Sequence, residues 1–236
     1  MSANVDVNEG IAGKCQVAVN RSLARVFGLM FLGLLASGLS AFFVAGSPEM
    51  QAVVYGHPQV YVFIFAPLAF VIALRFAWRM SPQLAFLLFF AYSFLMGLTL
   101  STVLLIYEAS TIWLAFVSAA GMFGGMAILG LTTKKDLTSM GSYLRMALIG
   151  LIIASLANRF FGSSGSIICI IIPYATIAIF LGLTAHDVQR IRAQILDNMD
   201  AEGNVPAALS INGALHLYLD FMNIFLSLLR ILGRRR

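Results

Sequence analysis

Long apolar runs alternate with short polar links along most of this chain. The runs are Leu23–Gly46, Val60–Trp78, Leu84–Tyr107, Thr111–Thr132, Tyr143–Phe161, Ser166–His186 and Ala207–Ile231. A helix needs about 20 apolar residues to cross a bilayer, so the pattern predicts an all-α integral membrane fold of about seven transmembrane helices. With such short links they form one bundle and leave no room for a soluble domain. The last run breaks its own pattern. Asp220 sits near its middle, where a charged side chain costs about 2.5–3.5 kcal/mol even on lenient insertion scales. His216, four residues earlier, and Asn223, three later, share its helical face, while Phe221, Phe225, Leu228 and Leu229 lie elsewhere. One polar stripe on an apolar helix faces a protein interior or an aqueous cavity. The plainer alternative is a neutral acid that hydrogen-bonds two helices together.

Composition sharpens the class. Of the 236 residues 60% are hydrophobic and only 11% charged, less than half the share of about 25% in soluble domains. The net charge of +5 is scattered over short links between apolar runs, which suits anionic lipid and not nucleic acid. Cys15 lies in a polar segment and Cys169 in an apolar run, so neither a disulfide framework nor a thiolate metal site is expected. Residues 1–22 read as a polar cytoplasmic tail ahead of a single bundle spanning 23–236. The first apolar run lacks a convincing cleavage site and reads as a retained helix. Pro67 and Pro173 fall inside runs, where proline kinks a helix. Gly121 and Gly125, with Gly124 and Gly130 nearby, predict close helix contact in the fourth run.

The basic residues set orientation. Lys14, Arg21 and Arg25 open the first run, and Arg75 and Arg79 close the second. Lys134, Lys135 and Arg145 surround the link after the fourth, and Arg190 and Arg192 follow the sixth. The opposite links hold Glu49, Glu108 and Arg159. The amino terminus is therefore expected in the cytoplasm. Arg230, Arg234, Arg235 and Arg236 disagree, because seven full crossings carry them outside.

This topology brings three ionisable groups together in the cytoplasmic half. The second helix runs inward to Arg79, the sixth inward to Asp187, and the seventh starts inside and reaches Asp220 at depth. Two carboxylates in a low-dielectric site resist joint ionisation and titrate as a unit, whereas Arg79 stays charged and pairs with either. Two aspartates and nearby carbonyls suit a hard cation such as calcium without specifying it. His216 adds a third titrating group. His186 adjoins Asp187 but points about a third of a turn away. The competing reading has Asp187 and Arg190 as an ordinary helix pair, with Arg75 and Arg79 reaching toward headgroups.

The words TAHDVQRI (Thr184–Ile191), LYLDFMNIFLSLLRILG (Leu217–Gly233), GLTLS (Gly97–Ser101) and TTKKDL (Thr132–Leu137) resemble the Bax inhibitor-1 family, most closely its bacterial members. The resemblance implies a bundle wrapped around the last helix and a pH-sensitive calcium leak. It implies that Asp187 and Asp220 are the pH-sensing pair and that Arg79 latches one of them. Members commonly carry tyrosine where this chain has His186. No resident cofactor is expected, and calcium enters only as a permeant ligand. Expected partners are the bilayer, the cation and, in a second reading without transport, a membrane-bound protease or stress machinery. The implied location is a bacterial inner membrane. An intramembrane aspartyl protease is disfavoured, since Asp220 follows Leu217-Tyr218-Leu219 and not Gly-x-Gly. The chain is not expected to be an enzyme.

Overall fold

The computed structural model describes residues 2–55, 81–161, 167–200 and 203–233. Its helices are α1 (Ser2–Ala45), α2 (Pro48–Tyr55), α3 (Pro82–Ile106), α4 (Ala109–Thr132), α5 (Thr138–Phe161), α6 (Ile167–Asp197) and α7 (Ala207–Leu232). Among the described residues, 6 helices are long and apolar enough to cross a membrane: α1 and α3 to α7. The predicted run Val60–Trp78, with Pro67, Arg75 and Arg79, lies outside the described residues.

The helices obey the local rules their sequences carry. Ser81 caps α3 by accepting from the N–H of Leu84 at 3.3 Å, with Pro82 opening the first turn. Two boundaries differ from the hydropathy reading. Helix α1 begins at Ser2, so the polar segment 2–22 forms its first turns. Helix α6 does not stop at His186 but continues to Asp197. Past His186 the buried residues Val188, Ile191 and Ile195 keep a helical stripe going. Gln189, Arg190 and Arg192 on the other faces depress mean hydropathy and hide it. Asp187 therefore sits inside a helix.

Contacts fix the helix directions. Gly33 meets Phe89, and Gly97 meets Ser37 and Ser40, so α1 and α3 run parallel and the end of α1 and the start of α3 lie at opposite ends of the bundle. Helix α7 runs parallel to α1, with Gly213 on Val26 and Tyr218 on Ser37. It runs antiparallel to α6, with Gly213 also on Ile191. One end, here the proximal end, collects the α4–α5 link, the end of α6 and the start of α7. Gly233 packs on Tyr107 at the other, distal end, beside the α3–α4 turn, so α7 traverses the full bundle.

Helix α7 is central. It packs against α1, α3, α4 and α6 and buries 56% of its most apolar stretch, against 6% for α5. The outer face of α5 shows Tyr143, Met146, Ile149, Ile152, Ile153 and Leu156, as a lipid-facing surface should. The glycine expectation for α4 holds at Gly130. Among the described residues nothing comes within 4 Å of a Cβ built on Gly121, Gly124 or Gly125, whereas Gly130 lies against the backbone of Ala185. Spacing alone did not reveal which side of α4 meets α6.

Candidate functional site: a buried acidic pair

Asp220 is carried into the bundle by the apolar residues around it on α7 and is only 4% exposed. The hydroxyl of Thr184 on α6 adjoins its carboxyl, yet that hydroxyl donates to the Phe180 carbonyl at 2.8 Å. Among the described residues Asp220 Oδ2 has no hydrogen-bond partner. Such an orphaned buried oxygen is uncommon in a folded protein and calls for an explanation.

Asp187 lies close enough to Asp220 to interact with it electrostatically. It is the wetter of the two, at 13% side-chain exposure, and two imidazoles flank it. His186 Nδ1 is 2.8 Å from Oδ1, and His216 Nδ1 is 3.8 Å from Oδ2. The ring of His186 is buried against Gly141 of α5, where a Cβ would collide with it. His216 is 39% exposed. It lines a narrow crevice with Asp187, Arg190, Gln194 and Asn212, whose free volume of about 10 Å³ approaches what one water requires. The pair thus spans a gradient, from a crevice at the proximal end to a buried oxygen in the core.

The structure brings together Asp187, Asp220, His186 and His216. It gives His186 a direct contact, contrary to the expectation from its helical angle, because adjacent side chains bend toward each other across the Gly141 gap. His216 approaches Asp187 across the helix interface. Asn223 directs its amide to the Leu219 carbonyl of its own helix, at 2.7 Å. Among the described residues Arg190 makes no ion pair with Asp187, so the ordinary helix pair does not form. Arg79, expected to latch the pair, lies outside the described residues.

Sequence reasoning missed Thr184 and Gly141. It also missed a knot of hydroxyls joining α1, α3 and α7. Ser37 Oγ lies 2.7 Å from the Ser93 carbonyl, 3.0 Å from the Gly33 carbonyl and 2.7 Å from the Tyr218 hydroxyl. Because the single Ser37 proton goes to the carbonyls, Tyr218 is the donor in the last contact. As for metals, no group of three or more His, Cys, Asp or Glu is set to hold one among the described residues. Asp187 and Asp220 remain a two-carboxylate site.

The chain matches the family model described as inhibitor of apoptosis-promoting Bax1 over residues 19–236. The chain belongs to the Bax inhibitor-1 family. It is 40% identical to the inner membrane protein YbhL of Escherichia coli, across 91% of this chain and 92% of the relative. A Borreliella burgdorferi protein is 42% identical across 92% of this chain and 93% of its own length. YrjE of Lactococcus lactis is 36% identical, covering 91% of each. In this Bax inhibitor-1 family protein, both acids fall within the matched region.

Proposed function

We propose that this Bax inhibitor-1 family protein is a pH-sensitive cation leak, with calcium as cargo, in which Asp187 and Asp220 sense protons as a unit. The observation that carries the reading is a buried Asp220 oxygen, without a hydrogen-bond partner among the described residues, beside a second carboxylate in the bundle core. Intramembrane acids are costly and mark ion or proton routes. His216 receives protons from the crevice, Asp187 exchanges them with either imidazole, and Asp220 takes its share from Asp187. Each proton removes one negative charge from the pair. That relieves repulsion between α6 and α7 and weakens the hold on a divalent cation. Calcium takes six to eight oxygen ligands when held firmly, so two carboxylates suit a passing ion.

Arg21, Arg25, Lys134, Lys135, Arg145, Arg190 and Arg192 gather at the proximal end, which supports a cytoplasmic assignment for that end by the positive-inside rule. The relative named as an inner membrane protein supports the same membrane here. Calcium efflux from liposomes across pH 5–8 tests the reading. Wild type is expected to show pH-dependent flux, and Asp187→Asn/Asp220→Asn to lose that dependence; equal flux profiles would exclude the gate.

A further inference from the structure

A second polar site lies at the proximal end, outside the acidic pair. The α4–α5 link and α6 enclose a cleft of about 570 Å³ lined by Lys134, Lys135, Asp136, Arg145, His186 and Arg190, among others. Among the described residues four permanent cations face it against a single acid. That acid is already engaged, since Asp136 Oδ1 accepts from the N–H of Thr138 at 2.9 Å and from its hydroxyl at 2.6 Å. Among the described residues none of the four cations has an ion-pair partner. Arg145 makes one long contact, 3.3 Å, to Ser142 Oγ.

The cleft is held open by its own framework. Gln189 of α6 straps the link with both ends of its amide, donating to the Lys135 carbonyl at 2.9 Å and accepting from the Leu137 N–H at 2.9 Å. Arg192 donates to the Leu131 carbonyl at 3.0 Å. The two Gln189 bonds join the sequence words TTKKDL and TAHDVQRI. Mobile lysines reaching for headgroups need no such strap, whereas a preorganised site gains affinity from one.

We propose that this cleft binds a phosphate group, supplied either by the headgroup of an anionic phospholipid or by a soluble phosphate ester. Guanidinium forks on Arg145 and Arg190 suit the tetrahedral oxygens, and the two lysines add point charges. Basic pockets at the membrane edge bind phosphorylated headgroups in this way. The proposal is separate from the cation reading, although His186 and Arg190 border both sites.

The test uses the full chain in nanodiscs of phosphatidylcholine with and without phosphatidylglycerol. Native mass spectrometry counts retained lipid, and a parallel arm follows the melting midpoint with added inorganic phosphate. Wild type is expected to retain phosphatidylglycerol preferentially. Lys134→Ala/Lys135→Ala is expected to weaken retention about 25-fold, from roughly fivefold per cation, and Arg145→Gln to weaken it about fivefold. Arg21→Ala/Arg25→Ala, exposed at the same end but outside the cleft, is expected to change nothing. Retention of phosphatidylglycerol without a phosphate effect assigns the lipid source, and a phosphate-dependent rise in melting that the lysine variant loses assigns the soluble one. Equal losses in cleft and control variants, or neither lipid preference nor phosphate effect, would overturn the proposal.

Discussion

Two polar side chains lie two residues apart on α7, both buried, and the bundle treats them in opposite ways. Tyr218 is 0% exposed, packs edge-on against Phe89 and Tyr92, and donates its hydroxyl to Ser37. Asp220 is nearly as buried and keeps an oxygen with no partner among the described residues. The first arrangement stabilises: a small polar group in an apolar setting is paired and locks α1, α3 and α7 together. The second has no such pairing among the described residues, which is the pattern of a group kept for chemistry. Polarity in a membrane core is therefore not one signal. Whether it is satisfied separates adhesive from function.

That contrast makes graded predictions. Gly141→Ala would drive a methyl into the His186 ring; it is expected to destabilise the fold by about 2–3 kcal/mol and to shift the pH profile of flux, read by unfolding titration and liposome efflux together. Ser37→Ala removes the centre of the hydroxyl knot and should cost about 1–2 kcal/mol while leaving the pH dependence of flux intact. Loss of that dependence in Ser37→Ala would erase the distinction between the two regions. Asp220→Leu should act in the opposite direction, raising stability by about 1 kcal/mol because a buried acid with an oxygen lacking a partner among the described residues is replaced by an apolar residue. The same variant should lose pH-responsive flux.

The smallest effect belongs to Asp136, in the exposed link. Hydrogen bonds from the Thr138 side chain and backbone hold its carboxyl below the ordinary 3.8. Its folded form is the stronger acid, so its contribution is present above about pH 4 and disappears as pH falls through the depressed folded value. Asp136→Asn should lower the melting midpoint slightly at pH 7, with the difference from wild type vanishing in acid.

The transmembrane class and the prominence of Asp220 were legible because a charge in an apolar run stands out without any tertiary information. Topology pointed to Asp187, the resemblance implied its role, and the structure supplies its neighbours. Other features were hidden for physical reasons. The tail of α6 past His186 is amphipathic, so an apolar window ends where the helix does not. Ser37 and Ser93 are single hydroxyls in apolar runs, and nothing in one helix announces a partner on another. Glycine spacing pointed to Gly121 and Gly125, with Gly124 and Gly130 nearby, whereas among the described residues α4 makes its close approach at Gly130, because contact depends on which face meets a neighbour.

The central claim is that Asp187 and Asp220 act as one titrating unit. A double-mutant cycle on the pH-dependent part of calcium flux measures this directly, using Asp187→Asn, Asp220→Asn and the double variant. The account predicts strong non-additivity, with either single variant removing nearly as much pH response as both together. Independent, additive contributions from the two acids would contradict it.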